Sequence, residues 1–172
     1  MSIQHYEHPQ TLDPVNPQDV ATKNYVDNKP FLMCYGLSAN IAGTASTWTL
    51  VNTWNAPSYT RGVGTWASNS TYTVGLTGLY QINFTLGWSM TTAFTTDSTY
   101  GAGIYRNGTL VAQGNVYIVT LTAGMTPTAI AHRSTQLNAG DTISFYFYSG
   151  AVVENLSTTG ITTTFDINYL QP

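Results

Sequence analysis

Residues able to act as acids, bases, nucleophiles or metal ligands are few and scattered in this sequence. It contains three histidines, one cysteine and eight acidic residues. A metal site would need such ligands in a cluster, but His132 stands far along the chain from His5 and His8. We expect the latter two to lie in a mobile N-terminal tail, the alternative being six imidazoles converging in a trimer. The sequence therefore predicts no metal site and no cofactor.

Catalytic constellations are equally unsupported. A Ser-His-Asp triad would have to use His132 and Asp141, yet no nucleophile elbow accompanies them. Paired carboxylates for glycoside cleavage would have to come from acids that turns and loops already explain in part: Asp97, Asp141, Glu154 and Asp166. The lone Cys34 cannot form an internal disulfide and is expected to be a small buried hydrophobe. We therefore expect no catalytic residues and a protein that is not an enzyme.

The composition favours a sheet protein that associates with itself. Apolar residues make up 42% and aromatics 13%, whereas charged residues make up only 8%. This mixture suits pleated sheets better than helices. Five scattered basic residues and a net charge of −3 offer no patch for phosphates, so we expect no nucleic-acid partner. The sequence has no apolar run long enough to span a membrane, so we expect no membrane insertion. Because surface charge opposes association, its scarcity favours an oligomer.

The chain divides near Lys29 and Pro30 into a short charged segment, 1–30, and a nearly uncharged remainder, 31–172. In the first part, cap and start signals predict a short helix over about 17–28. It is too short to be stable alone in water, so we expect it to pack against other copies or to dock on a larger particle, the alternative being a flexible tail. The residues predicted to make that attachment are Asn16, Pro17, Val20, Ala21, Tyr25 and Val26.

Beyond Pro30, short strand patterns alternate with turn signals. Strands are predicted over 31–35, 47–51, 71–74, 79–88, 103–106, 109–112, 116–119, 142–148 and 161–170. Asn107-Gly108 predicts a type I′ hairpin turn because both residues accept positive φ angles. Eight to ten such strands predict an all-β sandwich or jelly roll.

Two stretches of the sequence resemble known families. Residues 13–27 resemble a segment found in many bacteriophage tail-fibre and virion-appendage proteins, where it precedes a trimeric fibre or head. The run that carries this resemblance is Asp19-Val20-Ala21-Thr22-Lys23-Asn24-Tyr25-Val26-Asp27. It implies a phage or prophage origin, with residues 1–30 attaching the protein to a capsid or tail protein.

Residues 31–172 resemble the jelly roll shared by the complement globular head and the tumour necrosis factor (TNF) superfamily. The matching pieces are 78–84, 105–109, 137–143 and 164–167. The resemblance implies a ten-stranded, TNF-like homotrimer around an axis lined by aromatic and aliphatic residues. The acidic clusters that bind calcium in several relatives are absent, so calcium is not implied. The residues expected in the trimer interface or core are Tyr80, Ile82, Phe84, Phe145, Phe147 and Phe165.

The combination predicts a short trimeric fibre in the virion, made in the host bacterial cytoplasm, whose head binds the bacterial surface. Aromatic rings beside neutral polar groups suit a carbohydrate ligand. The candidate ligand-binding residues are Trp54, Tyr59, Trp66, Phe94 and Tyr100. The alternative is a head fibre or capsid decoration protein with a structural or weakly adhesive role. An enzyme that cleaves host glycan is not expected.

Overall fold

The computed structural model describes residues 29–88, 98–118, 126–150, 155–156 and 163–172, and these residues form strands and connecting turns with no helix. Side chains alternate between buried and more exposed along the long strands, because successive residues point to opposite faces of a sheet. The strands are β1 Phe31–Tyr35, β2 Ile41–Ala42, β3 Thr47–Leu50, β4 Tyr59–Arg61, β5 Gly64–Ala67, β6 Thr71–Val74, β7 Gly78–Gly87, β8 Ser98–Arg106, β9 Thr109–Ile118, β10 Thr128–Leu137, β11 Thr142–Ser149, β12 Asn155–Leu156 and β13 Thr164–Gln171.

Ten of these strands build two five-stranded antiparallel sheets. The first sheet has the order β10-β7-β13-β1-β4 and the second sheet has the order β5-β6-β11-β8-β9. The short strands β2 and β12 pair separately. The two sheets stack as a sandwich, which confirms the predicted all-β fold.

Aromatic rings fill the space between the sheets. Trp54 is fully buried, and its ring centroid lies 4.7 Å from that of Phe165 and 6.0 Å from those of Phe84 and Phe145. Edge-to-face contacts of this kind add to the free energy gained by burial. The six residues expected in the trimer interface or core all lie in this core: Tyr80, Ile82, Phe84, Phe145, Phe147 and Phe165.

Most of the predicted strands are present, with several differences. Residues 116–118 continue β9 and do not form the separate strand that was predicted over 116–119. Strand β10 was not predicted. Two of its buried positions carry the small side chains of Ala129 and Ala131, which give a weak apolar signal. The short strands β4 and β5 were not predicted either.

Two glycines explain the geometry of β8, β9 and β10. Gly108 and Asn107 have φ angles of 77° and 50°, and Arg106 pairs with Thr109, which confirms the two-residue type I′ hairpin between β8 and β9. Gly114 of β9 lies against the backbone of Ile130 in β10, where a Cβ atom would collide with the Ile130 carbonyl. This close approach brings together the edge strands of the two sheets on one side of the sandwich.

The predicted helix over 17–28 and the six attachment residues lie outside the described residues. Lys29 is the first described residue, and β1 begins two residues after it. A search of the described residues finds no helix that is long and apolar enough to cross a membrane.

Candidate binding surface

Four aromatic side chains gather on the face of the second sheet that points away from the core. Trp48 of β3 lies over this face, with its ring centroid 5.3 Å from Tyr148 and 6.1 Å from Tyr105. The Tyr105 and Tyr146 rings lie 4.0 Å apart at an interplanar angle of 34°. All four side chains are half-buried, so part of each ring remains open to solvent. We call Trp48, Tyr105, Tyr146 and Tyr148 the aromatic surface.

The local sequence explains why these rings share one face. Along β11, Phe145 and Phe147 point into the core, so Tyr146 and Tyr148 point outward. In β8, Gly101 and Gly103 lie beside these tyrosines, with Gly101 opposite Tyr148 and Gly103 opposite Tyr146. A Cβ atom added at Gly103 would lie 2.6 Å from the Trp48 ring, and one at Gly101 would lie 3.2 Å from it. The two glycines therefore form the shallow trough that admits the indole ring.

Neutral polar groups surround the aromatic surface. Ser144 and Thr71 form a cross-strand pair with side chains on this face, and Gln113 and Asn115 of β9 lie opposite Gly103 and Gly101. In the described part of the second sheet, no outward-facing strand position carries a charged side chain. Burial and the neighbouring Tyr146 raise the pKa of Tyr105, so its hydroxyl stays neutral near pH 7. The surface therefore offers rings, hydroxyls and amides without charge.

The outward face of the first sheet has a different character. It carries four of the six large apolar side chains that are exposed among the described residues, namely Tyr35, Tyr59, Ile130 and Leu170. At its centre the Asp166 carboxylate accepts hydrogen bonds from Asn83 Nδ2 at 2.8 Å and Asn168 Nδ2 at 2.6 Å. Burial raises the pKa of Asp166 in spite of these donors, which favour the ionised form. We call this the first-sheet face.

The carboxylate of Asp141 connects the β8–β9 turn and the β10–β11 turn at one end of the sandwich. Asp141 accepts hydrogen bonds from Arg106 Nη2 at 2.6 Å, Asn107 Nδ2 at 2.7 Å and the Asn138 backbone N–H at 2.7 Å. Burial alone would raise the pKa of Asp141, but these donors outweigh it and hold the pKa below its ordinary value. Three donors from the two turns therefore surround this carboxylate, and Asp141 joins the β8–β9 turn to the β10–β11 turn.

The structure corrects part of the predicted ligand-binding set. Trp54 and Tyr100 are 0% and 2% exposed. The prediction that they lie on the free surface is therefore wrong. Trp66 is half-buried and packs its ring 5.0 Å from that of Phe165. Tyr59 is 52% exposed and lies on the first-sheet face. Phe94 lies outside the described residues.

The predicted set did not include the aromatic surface. Tyr146 and Tyr148 alternate with Phe145 and Phe147 in one run, and strict alternation indicates that one of the two pairs must face outward. The spacing of Gly101, Gly103 and Tyr105 repeats the same period of two. These two signals could have located the tyrosines. The position of Trp48 depends on β3 lying alongside β11 and could not be inferred from spacing.

The described residues include one histidine, His132, and one cysteine, Cys34. They hold no group of three or more His, Cys, Asp or Glu side chains that could bind a metal ion. His132 is exposed on β10, where it shares a cross-strand row with Asn83 and Asp166. Cys34 is fully buried as expected, and burial raises the pKa of its thiol to about 12.

The two-sheet order and the core define a TNF-like jelly-roll protein. Its fold resembles Eiger TNF from S. frugiperda, with a TM-score of 0.63 and 12% identity over 83% of this chain and 93% of that chain. It also resembles murine APRIL: one structure has a TM-score of 0.61 and 17% identity over 83% of this chain and 99% of that chain. A second APRIL structure, at pH 8.0, has a TM-score of 0.59 and 20% identity.

These similarities are in fold alone, because the sequence identities are low. No family model matches the sequence. No curated protein matches it either.

Proposed function

We propose that this chain is a homotrimeric virion protein of a bacteriophage, and that its jelly-roll head adsorbs to the bacterial surface. The observation that carries the proposal is the joining of two features in one chain. The phage-appendage resemblance ends at Asp27, and β1 of a TNF-like jelly roll begins at Phe31. In this arrangement residues 1–30 attach the protein to a capsid or tail protein, and the head points outward.

The first-sheet face supports the trimeric part of the proposal. Tyr35, Tyr59, Ile130 and Leu170 are the exposed large apolar side chains of the described strands, and all four lie on this face. Association through this face would bury them together with the half-buried Phe31. The six apolar residues expected in the interface or core are already covered within one chain, so the contact between copies must use these outward side chains instead.

Two measurements test this assembly. Sedimentation of the purified full-length chain should give a mass about three times 18.7 kDa, since three copies associate. Antibody labelling of intact particles should place the protein on the virion surface. A stable monomer, or a protein missing from purified particles, would contradict the proposal.

Adsorption is tested separately with cells of the bacterium that supports the phage. The purified trimer should bind these cells and should reduce adsorption of the phage when added first. The proposal includes no catalytic step. Turnover of host polysaccharide that is abolished by substituting Asp or Glu would therefore contradict it.

A head fibre or capsid decoration protein is the second candidate. It is favoured by the short connection, since only residues 28–30 separate the appendage-like segment from β1. A receptor-binding fibre would more often have a shaft at this point. Labelling confined to the capsid, with no cell binding by the trimer, would support this function over adsorption.

A further inference from the structure

We propose that the aromatic surface is a binding site for neutral saccharide units. The inference rests on the proposed function, because it names the chemical class of ligand that the head would recognise. It goes beyond that function in assigning the site to Trp48, Tyr105, Tyr146 and Tyr148, on the second sheet.

Ring geometry is the first argument. The C–H faces of a pyranose pack against aromatic rings, and the ring hydroxyls exchange hydrogen bonds with nearby polar groups. Tyr105 and Tyr146 lie 4.0 Å apart, and Trp48 lies 5.3 Å from Tyr148. The rings hold one another in place, so little side-chain entropy is lost when a ligand binds.

Charge is the second argument, and it selects a neutral ligand over an anionic polymer. No outward-facing strand position in the described part of the second sheet carries a charge. Arg106 follows Tyr105, but its guanidinium donates to Asp141 and to the Gln136 carbonyl. A phosphate- or carboxylate-rich polymer would therefore have no cationic strand residue to pair with on this face. Sugar hydroxyls could form hydrogen bonds with Ser144, Gln113 and Asn115.

Accessibility in the assembly is the third argument. The apolar side chains that need covering are on the first-sheet face, while the aromatic surface is on the opposite side of the sandwich. A trimer formed through the first-sheet face leaves all three copies of the aromatic surface open. Three equivalent sites on one particle raise the avidity for a repeating polysaccharide without any change in the affinity of each site.

The test uses the full-length protein labelled with 5-fluorotryptophan and followed by fluorine NMR. The chain has four tryptophans, and the buried Trp54 serves as an internal control. Glucose, galactose, rhamnose and N-acetylglucosamine are titrated separately, with glucuronic acid as the charged comparison. We expect a saturable shift of the Trp48 resonance with at least one neutral sugar, at millimolar concentration, and no comparable shift of the Trp54 resonance.

Matched variants separate the site from its surroundings. Tyr146→Ala should weaken sugar binding at least tenfold, and Trp48→Phe should weaken it less because a ring remains in the glycine trough. Tyr59→Ala removes an exposed ring on the opposite face and should leave the affinity of each site for a single sugar unit unchanged, even where it weakens association between copies. Unchanged resonances for Trp54 and Trp66 would show that each variant is folded.

Two results would overturn the assignment: no neutral sugar shifts the Trp48 resonance of the folded protein, or Tyr146→Ala binds as tightly as wild type. Loss of incorporation into particles by Tyr146→Ala, without any sugar response, would assign the surface to a protein partner instead. If wild-type trimer still blocks phage adsorption while no sugar binds, the site assignment fails and the proposed function stands. If the trimer binds neither cells nor sugars, the site assignment and the proposed function both fail.

Discussion

At the scale of single residues, two aspartates should respond oppositely to pH. Hydrogen bonds to Asp141 hold its pKa below the ordinary value of 3.8. Its stabilising effect is therefore complete above that value and is lost as the pH falls through the lowered pKa. We expect Asp141→Asn to reduce the free energy of unfolding by about 2 kcal/mol at pH 7, and by less at pH 3. Urea unfolding at both pH values measures this, and an equal loss at both would contradict it.

Asp166→Asn is the matched comparison. Burial raises the pKa of Asp166, so the folded state disfavours its charged form. The free energy of unfolding should therefore increase as the pH falls through the raised pKa towards the ordinary one. At pH 7 the substitution should cost much less than Asp141→Asn, because it removes a charge that burial disfavours, whereas Asp141→Asn removes a charge that Arg106 and the neighbouring donors stabilise.

The buried thiol gives a second prediction at this scale. Cys34 is 0% exposed, and its pKa is raised to about 12, so the reactive thiolate is scarce at neutral pH. We expect almost no reaction with a disulfide reagent such as Ellman's in buffer, and complete reaction of one thiol per chain in urea. Cys34 would then report unfolding without any engineered probe. Rapid reaction of the folded protein would show that the β1 region opens readily.

At the scale of elements, Gly114 controls how closely β9 and β10 approach. A Cβ atom there would collide with the Ile130 carbonyl, which is backbone and cannot move aside by changing rotamer. We expect Gly114→Val to reduce the free energy of unfolding by about 3 kcal/mol. Asn115→Val, on the exposed face of the same strand, is the control and should change it little. Thermal or urea unfolding would show whether the two variants differ.

The strands also show where sequence reading works and where it stops. An apolar run identified β1, alternating apolar and polar side chains identified β7, and an aromatic-rich run identified β11. Asn107-Gly108 located the β8–β9 turn. The pattern failed at β10 because the side chains of Ala129 and Ala131 are small and give a weak apolar signal. On the β9 side of the same contact, Gly114 has no side chain that could mark the contact with β10. Small residues are required where backbones come close, and these positions give the weakest apolar signal.

At the scale of the whole molecule, the first-sheet face should control assembly. We expect Ile130→Asp to shift the sedimenting species from trimer towards monomer, since Ile130 is 58% exposed and would be buried between copies. Leu76→Asp, in the loop between β6 and β7, is the control and should remain trimeric. A monomeric wild type, or an unchanged Ile130→Asp trimer, would mean that copies do not meet through this face.

The all-β class followed from composition, strand spacing and turn residues, and the TNF-like arrangement followed from the resemblance of residues 31–172. The candidate site followed from neither. Trp54 was expected on a loop surface, yet it fills the centre of the core. A tryptophan in an irregular segment has no period to indicate its direction, so only the tertiary packing decides it. The aromatic surface depends on β3 lying beside β11, so that Trp48 reaches Tyr148 of β11 and Gly103 of β8. This is a contact between distant parts of the chain that local patterns do not encode.

The absence of charge from the described outward positions of the second sheet has a kinetic consequence. This surface supplies no local charge that could steer a ligand towards it, so capture at the site should depend mainly on diffusion and orientation. Dissolved ions would have little to screen at the contact itself, since the net charge of −3 per chain comes from residues outside these strand positions. If this surface binds neutral sugars as we propose, the affinity of each site should be nearly the same in seawater as in fresh water, and the persistence of attachment would depend on how many of the three copies of the site engage at once.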